Sequence, residues 1–567
     1  MPLVQWGEYR PDVADYLGTA NRSLLNVLPQ GDGYGPFQEF AQFSGALPAA
    51  CRGAFYALRA DGSVAVFAGT SDRLYLLNNT TLTWTPVGKV AALTSISNAS
   101  PAVVSYTGHP FAVNDPVVFS TDGALPAGLT AGTVYYVISA GLTSSAFQVS
   151  ETLGGAAVNT SSAGSGTHSV TSTYTALNAD AQWRFAQFNT LVIAVQENCA
   201  PQLYTLGSSS AFADLGGSPP QAAYVDIVGR FVVLSGLASN KTRIQWSGLN
   251  APTTWTSGTN SSDYQDLPDG GIVRGVAGGE SGVIFQDQAI RRMMYVPGSP
   301  LIFQIERMTQ DHGLYAPYSL VRASDKIFFF SAKGFHRIDP GSHPVQIGRE
   351  RVDRTFFADI DKGNLQLFHG AADPRSSRVF WAYKSNSGTT GLYDKILGYD
   401  FALDRWFALE TSGEYLLSMS QTGITLESLD ALSSSIDAMT SSFDNYATSV
   451  TPELAQFNSA HKLGFFRGDN LEATFETAEQ GADGRRLFVR GFRPITDASS
   501  VYGSLRHRDK QSETPTDGDE IAMHSTTGSC DRLKSTRYTR FKARIPAGTT
   551  WTFCAGVEPD VTTEGKH

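Results

Sequence analysis

The sequence predicts an all-β protein: a β-propeller of about six blades, an inserted small β-barrel or sandwich domain, and a β-sandwich platform built from the N- and C-terminal segments. Three observations predict it. A strand–turn–strand unit recurs six times. Its spacing becomes regular once a single stretch is set aside. Fifty-five glycines, with abundant Ser and Thr, suit a chain of 567 residues with many tight turns.

The recurring unit opens on an apolar strand. These are SVAVFAG (63–69), TLVIAV (190–195), RFVVLSG (230–236), SGVIFQD (281–287), KIFFFSAKG (326–334) and RVFWAYKS (378–385). A second strand follows each: RLYLL (73–77), QLYTL (202–206), TRIQWSG (242–248), IRRMMYV (290–296), FHRID (335–339) and KILGYD (395–400). A third element closes the unit, as at TWTPVG (83–88), AFADLG (211–216), TWTSG (254–258), IFQIER (302–307) and RWFAL (405–409), with a weaker PVQIG at 344–348. Self-similar units of three or four short strands are the signature of propeller blades. Trp84, Trp255 and Trp406, one in each of three third elements, are expected to pack the blade turns.

Successive opening strands lie 127, 40, 51, 45 and 52 residues apart. Four of these gaps match a repeat of about 40–50 residues. The outlier contains residues 97–174, which carry almost no charge and are rich in Gly, Ala, Ser and Thr; without them the gap is 49. Alternation in PVVFS (116–120), VYYVIS (134–139) and AFQVS (146–150) marks half-buried strands of a separate small domain. The organisation read from the chain is an N-terminal segment (1–50) that docks on the platform, blade one (51–96), the insert (97–174), the remaining blades (175–410), a Ser-rich connector (411–465) and a C-terminal β-sandwich platform (466–567). Within the connector, Leu426, Leu429, Leu432, Ile436, Met439 and Phe443 recur at helical spacing. Asp430, Asp437 and Asp444 in the same Ser-rich run fit a chain of Asx and Ser turns equally well, so both readings stand.

Composition narrows the function classes. Hydrophobic residues (41%) and aromatics (11%) can supply real cores, while charged residues make up only 17%. The low charge fits either a surface covered by other subunits or a Ser/Thr-rich β surface. A net charge of −10 excludes a protein that grips nucleic acid along its whole surface, because phosphate neutralisation needs Lys and Arg. It is compatible with a passage through which DNA slides without being held. Cys51, Cys199, Cys530 and Cys554 show no metal-binding spacing and read as buried thiols of a reducing cytosol. Met1 to Tyr16 has no basic start followed by an apolar run, so no secretory leader is expected. No stretch approaches 18 consecutive apolar residues.

Longer runs carry a resemblance. NVLPQGDGYGPF (26–37), ALRADGSVAVFAGTSDRLYLL (57–77), WRFAQFNTLVIAVQENCAPQLY (183–204), RIQWSGLNAPTTWTSGTNSSDYQDLPDGGIVRGVAGG (243–279), HGLYAPYSLV (312–321) and LEATFETAEQGADGRRLFVRGFRPITDA (471–498) resemble the nozzle proteins of short-tailed phages, also called tail tubular protein B or DNA-stabilisation proteins. The insert, with GHPFAVNDPVVFS and ALPAGLTAGTVYYVISA, resembles a small β module of many phage virion proteins. The resemblance implies a virion protein assembled in the host bacterial cytoplasm, forming a hexameric ring at the distal end of a short tail. It implies an adaptor ring above, tail fibres or tailspikes at the periphery, and indirect contact with the host envelope. Genomic DNA would pass through the lumen without sequence-specific binding.

Catalytic chemistry finds little footing. A glycan-binding or glycan-cleaving propeller is the main rival, beside a ring protein at another tail position. Ser247 to Trp255 echoes the Asp-box of sialidases once, with Asn250 in place of Asp and Pro252 at the glycine position. Glycoside hydrolysis needs two carboxylates at a fixed separation. Asp226, Asp263, Asp266, Asp269 and Glu280 supply acids near turns, but nothing singles out a pair. His336 and His343 read as exposed loop histidines; two ligands do not make a zinc site. No HExxH, GxSxG or Walker lysine motif is present. The expectation is no catalytic residue, no metal and no cofactor. Cations instead gather in the C-terminal region. Arg485, Arg486, Arg490, Arg540, Lys542 and Arg544 are candidates for a subunit interface or a phosphate-facing surface, or form a solvated face balanced by Glu472, Glu476 and Glu479. Alternation along 537–545 sets Arg540, Lys542 and Arg544 on one strand face.

Overall fold

The computed structural model describes residues 3–14, 20–88, 92–109, 111–420, 452–482 and 484–565. The periodic leucines of 425–446 lie outside them. The fold is all-β and of propeller type. The chain forms two compact units, residues 46–313 and residues 1–45 with 314–567.

The unit 46–313 holds four four-stranded antiparallel sheets. Blade one is Ala54–Leu58, Val64–Gly69, Leu74–Leu77 and Trp84–Pro86. Blade two is Arg184–Phe188, Leu191–Val195, Gln202–Thr205 and Ala213–Asp214. Blade three is Ala222–Val228, Phe231–Leu237, Arg243–Trp246 and Asp263–Asp266; blade four is Val273–Ala277, Gly282–Gln286, Ile290–Tyr295 and Phe303–Thr309. Every strand pairs with its sequence neighbour, as short hairpins dictate. The most apolar strand is the second of each four, not the first. Val64–Gly69, Phe231–Leu237 and Gly282–Gln286 are buried at every position. Such strands are covered on both faces and lose the period-two alternation. The strand before each is only partly buried, so the continuous apolar signal starts one strand late. Phe67, Trp183, Tyr204 and Phe212 join blades one and two, Leu234 and Trp255 belong to the core of two and three, and Phe231, Trp246, Ile284 and Phe303 join three and four.

The insert in this unit is a small barrel. Its strand order is Ala92–Leu93, His168–Ser172, Pro116–Thr121, Val134–Ile138, Ala146–Ser150, Val104–Ser105, Ser95–Ile96. The two end strands are consecutive in sequence, and the backbone of Thr94 between them donates to His168 O at 3.3 Å. One strand therefore borders both edges and closes the sheet, which removes its free edges. Val117, Phe119, Tyr135, Phe147 and Val170 fill the interior.

The other unit holds three more blades and the platform. Blade five is Val321–Ala323, Lys326–Ser331, Gly334–Ile338 and Val345–Gln346; blade six is His369–Asp373, Arg378–Tyr383, Tyr393–Asp400 and Arg405–Gly413. A further four-stranded sheet has the order Tyr415–Met419, Glu453–Phe457, Lys462–Asn470, Gln38–Ala46. Seven such sheets therefore stand among the described residues, against about six read from the repeat. The seventh lies where the sequence places a connector, and its outer strand comes from the N-terminal segment. Two physical facts hide it. The chain between its first two strands is far longer than a hairpin turn, and its buried strand Glu453–Phe457 carries Glu453 and Gln456. Glu453 is neutralised by Arg467 and by Arg375 at 2.9 Å, and Gln456 accepts the Tyr393 hydroxyl.

The platform is a sandwich of two sheets. One has the order Cys530–Thr536, Leu487–Thr496, Cys554–Thr563, Tyr34–Pro36, Val27–Pro29, with Val4–Gln5 also on Cys554–Thr563. The other runs Leu24–Leu25, Ala473–Glu476, Tyr538–Ile545, Tyr502–Arg508, Thr516–Asp517. Trp6, Leu24, Val27 and Tyr34 from one chain end share a core with Phe475, Val489, Phe492, Phe541 and Trp551 from the other. Trp6 stacks on Phe475 at 5.0 Å and donates its indole N–H to Cys554 Sγ at 3.1 Å. Cys51, Cys530 and Cys554 are buried cysteines, whereas Cys199 is only half-buried. A short helix, Asp353–Asp359, follows blade five, and the carboxylate of Asp12 accepts from the backbone of Arg354 and Thr355 at 2.7 and 2.8 Å. No helix among the described residues is long and apolar enough to cross a membrane.

Candidate functional site

The basic strand of the platform folds as the alternation requires. Along Tyr538–Ile545, Thr539, Phe541, Ala543 and Ile545 are buried in the core. Arg540, Lys542 and Arg544 take the opposite face, and each meets acids. Arg540, 7% exposed, pairs with Glu476 at 2.9 Å and Glu479 at 3.8 Å. Lys542 pairs with Asp517 at 3.2 Å. Arg544 grips Glu520 at 2.6 Å and Glu472 at 2.9 Å, which holds the Glu520 carboxyl below its ordinary range. On the other sheet, Arg490 pairs with Asp560 at 2.9 Å and Arg486 with Asp509 at 3.1 Å. Arg485 is exposed at the turn whose backbone closes on Ala482. Five of the six candidates thus sit in a lattice of ion pairs, which includes Glu472 and Glu476. Most are exposed pairs worth about 0–1 kcal/mol each.

Arg540 also lines a cavity that the sequence does not announce. It is about 360 Å³ and is bounded by Pro11, Arg22, Ser23, Thr355, Glu476, Arg506, Pro515 and Arg540. Glu476 is shared, lying 2.9 Å from Arg540 and 3.6 Å from Arg506. A larger cavity of about 660 Å³ has Pro11, Arg22, Ser23 and Thr355 in its own wall, together with Tyr9, Arg354, Asp359, Tyr383 and Lys395. There Asp359 accepts from Lys395 at 2.9 Å and from the Tyr383 hydroxyl at 3.0 Å. Burial and the nearby Asp359 and Asp12 push the Tyr9 phenol up to about 12. These walls come from many separate stretches of chain, so no local motif could have revealed them.

Four of the five acids weighed for glycan chemistry are engaged locally. Asp226 accepts from the Gly278 N–H at 2.8 Å, and Asp263 from the Ser257 hydroxyl at 2.6 Å. Arg243 holds Asp266 through two bonds, at 2.7 and 2.9 Å, and keeps its carboxyl below the ordinary range. Asp269 is ion-paired with Arg291 and Arg307, and Glu280 is exposed. The Asp-box echo is a closed loop: Gly248 N–H donates to Thr254 O at 2.8 Å, and the Trp255 indole donates to Pro252 O at 2.8 Å. Trp255 packs against its own turn, whereas Trp84 and Trp406 sit on strands. Trp406 is fully buried and donates to Ile347 O at 3.2 Å; Trp84 is half-buried on the outer strand of blade one. His343 is exposed, but His336 is not a loop residue. It is 3% exposed on Gly334–Ile338, stacks on Phe329 at 5.3 Å, and is tied to the hairpin turn through Nδ1 and Gly334 O at 2.9 Å. Its cross-strand partner is Phe329, so the register turns it inward.

The chain matches no family model and no curated protein. Among solved structures it is similar to Kluyveromyces lactis Hsv2, at 11% identity over 64% of this chain and 98% of that one, with a TM-score of 0.25. It is similar to a variant of Synechocystis apocarotenoid oxygenase at 9% identity over 60% and 86%, with a TM-score of 0.27. BamB from Moraxella catarrhalis is similar at 14% identity over 55% and 92%, with a TM-score of 0.21. Likenesses this slight carry no argument about activity.

Proposed function

We propose that this chain is a structural virion protein of a tailed phage: the nozzle ring of a short tail, which extends the DNA channel, retains the packaged genome and opens for ejection. The observation that supports it best is the use of both chain ends. Gln38–Ala46 completes the seventh blade, and the residues before it complete the platform sandwich. A wall that withstands internal pressure needs its termini tied into cores, and these are. Two of the resembling runs meet in that core: 26–37 and 471–498 supply Val27, Tyr34, Phe475, Val489 and Phe492 to the platform. The work is mechanical, with no covalent chemistry, and the local engagement of Asp226, Asp263, Asp266 and Asp269 fits that. Six copies form the ring, the platform meets an adaptor ring, and fibres or tailspikes attach at the periphery. Electron microscopy of the source virion tests this: a short tail with a six-fold tip is expected, and a long tube or another symmetry overturns it. Incubation with host polysaccharide is expected to release no reducing ends above background.

A further inference from the structure

We propose that the hairpin loop of blade four, residues 296–302, inserts into a lipid surface. The proposal rests on this loop alone and holds whether or not the chain is a nozzle protein. The loop joins the strands Ile290–Tyr295 and Phe303–Thr309. Within it Leu301 is 73% exposed, and Val296 at its base is 36% exposed. A single exposed leucine is ordinary. The surroundings set this one apart, because no residue from Met293 to Ile305 is charged. Leu533, 72% exposed on the platform, stands between Arg532 and Lys534, and Leu153, 64% exposed, stands two residues from Glu151. Entry into a bilayer would strip water from those charges, whereas Leu301 brings none with it.

Backbone groups that enter lipid must find their partners within the chain, since no water is there to supply them. Val296 N–H donates to Ile302 O at 2.9 Å, Ser299 N–H to Val296 O at 3.1 Å, and Ile302 N–H to Ser299 O at 3.1 Å. Leu301 N–H donates to Ser299 Oγ at 3.2 Å, and Phe303 N–H to Leu301 O at 2.6 Å. Pro297 and Pro300 have no N–H. The loop thus offers a partner one backbone N–H, that of Gly298, and the Ser299 hydroxyl. A docked protein would find little to hydrogen-bond, so the surface favours a partner that asks only for apolar contact. The Phe303–Leu301 bond closes a three-residue turn around Ile302, whose φ is +62°. A β-branched residue avoids that region, and turns of this γ type are rare and strained. Packing holds the strain: Ile302 sits against the core of blades three and four, where Phe231, Trp246 and Phe303 lie. Ile302 is therefore held inward and Leu301 outward, an arrangement that needs no reordering on contact with lipid.

Vesicle flotation of the full chain tests this. The probe is zwitterionic phosphatidylcholine vesicles, because a net charge of −10 repels the chain from anionic ones. Co-flotation is expected, equal at low and high salt, since apolar insertion is not screened. Leu301→Asp is expected to weaken partitioning roughly tenfold or more, the scale of one buried leucine. Its Tm should match that of the wild type, because the side chain is exposed, and this separates lost binding from lost folding. Leu533→Asp, at an equally exposed leucine, is expected to float as the wild type does. Absent flotation of the wild type, undiminished flotation of Leu301→Asp, equal loss in both variants, or binding that falls away with salt overturns the proposal. So does a Leu301→Asp variant that floats normally but no longer self-associates, which would assign the loop to a second copy of this chain.

Discussion

Asp353 sits in an environment that disfavours its charged form. It is 7% exposed at the start of the short helix after blade five, in a cradle of two glycines. A Cβ at Gly334 or Gly348 would come within 2.1 or 2.0 Å of its carboxyl group. Its oxygens accept from Phe335 N–H at 3.1 Å and Gln346 Nε2 at 3.3 Å. Those bonds do not offset burial, which pushes the carboxyl from 3.8 up to about 6. A folded-state value above the unfolded one means that the protonated acid is favoured. The contribution is fully present below about 3.8 and is lost as pH rises through about 6. Asp353→Asn should therefore stabilise the protein at pH 8 by about 1–3 kcal/mol and bring no gain at pH 3.5, measured by denaturant melts at both values. The tryptophans give a second contrast. Trp406→Ala empties a fully buried site and strands Ile347 O, at a cost of about 3–5 kcal/mol, whereas Trp84→Ala, half-buried, should cost about 1 kcal/mol; thermal unfolding of the two variants checks the order.

At the scale of elements, the insert is the clearest module. The chain leaves blade one at Gly88 and returns at Thr173, and these points adjoin: a Cβ on Gly88 would lie 2.9 Å from Ser172 O. Tyr174 N–H then rejoins blade one at Asp72 O, at 2.7 Å. Joining Gly88 directly to Thr173 should leave the blades folded, with Tm lowered by only a few degrees, because closing a shorter loop costs little. Circular dichroism and melting of the excised chain test this; loss of a cooperative transition would show that the barrel supports the blades. The insert was legible because its composition breaks from that of its flanks. Six blades were legible because a strand covered on both faces must be apolar throughout. The seventh was not, since Glu453 and Gln456 are buried with partners that sequence cannot display. His336 was misread for the same reason: its inward register depends on pairing with Phe329.

At the scale of the whole molecule, the platform requires both chain ends, and this can be tested by removing one. Residues 1–36 give the sandwich Trp6, Leu24, Val27 and Tyr34, all buried. Four such side chains are worth about 6–12 kcal/mol at about 1.5–3 kcal/mol each. That is comparable to the whole stability of a typical domain, about 5–15 kcal/mol. The cavity lining would lose Arg22 and Ser23 with them, which explains why the cavity could not be read from any single window of sequence. Two thiols report on the outcome. Cys530 and Cys554 lie in the shared core, and burial pushes them up to about 11 and about 12, so both should resist alkylation in the native protein. Cys199, half-buried in the other unit, should react first. Deleting residues 1–36 removes the Trp6 indole from Cys554 Sγ and opens the core beside both thiols. Mass-spectrometric thiol labelling of the truncated chain should therefore show fast modification of Cys530 and Cys554, with Cys51 still protected in the unit 46–313. Continued protection of all three would mean that the C-terminal strands close the sandwich alone and that the N-terminal segment only decorates it.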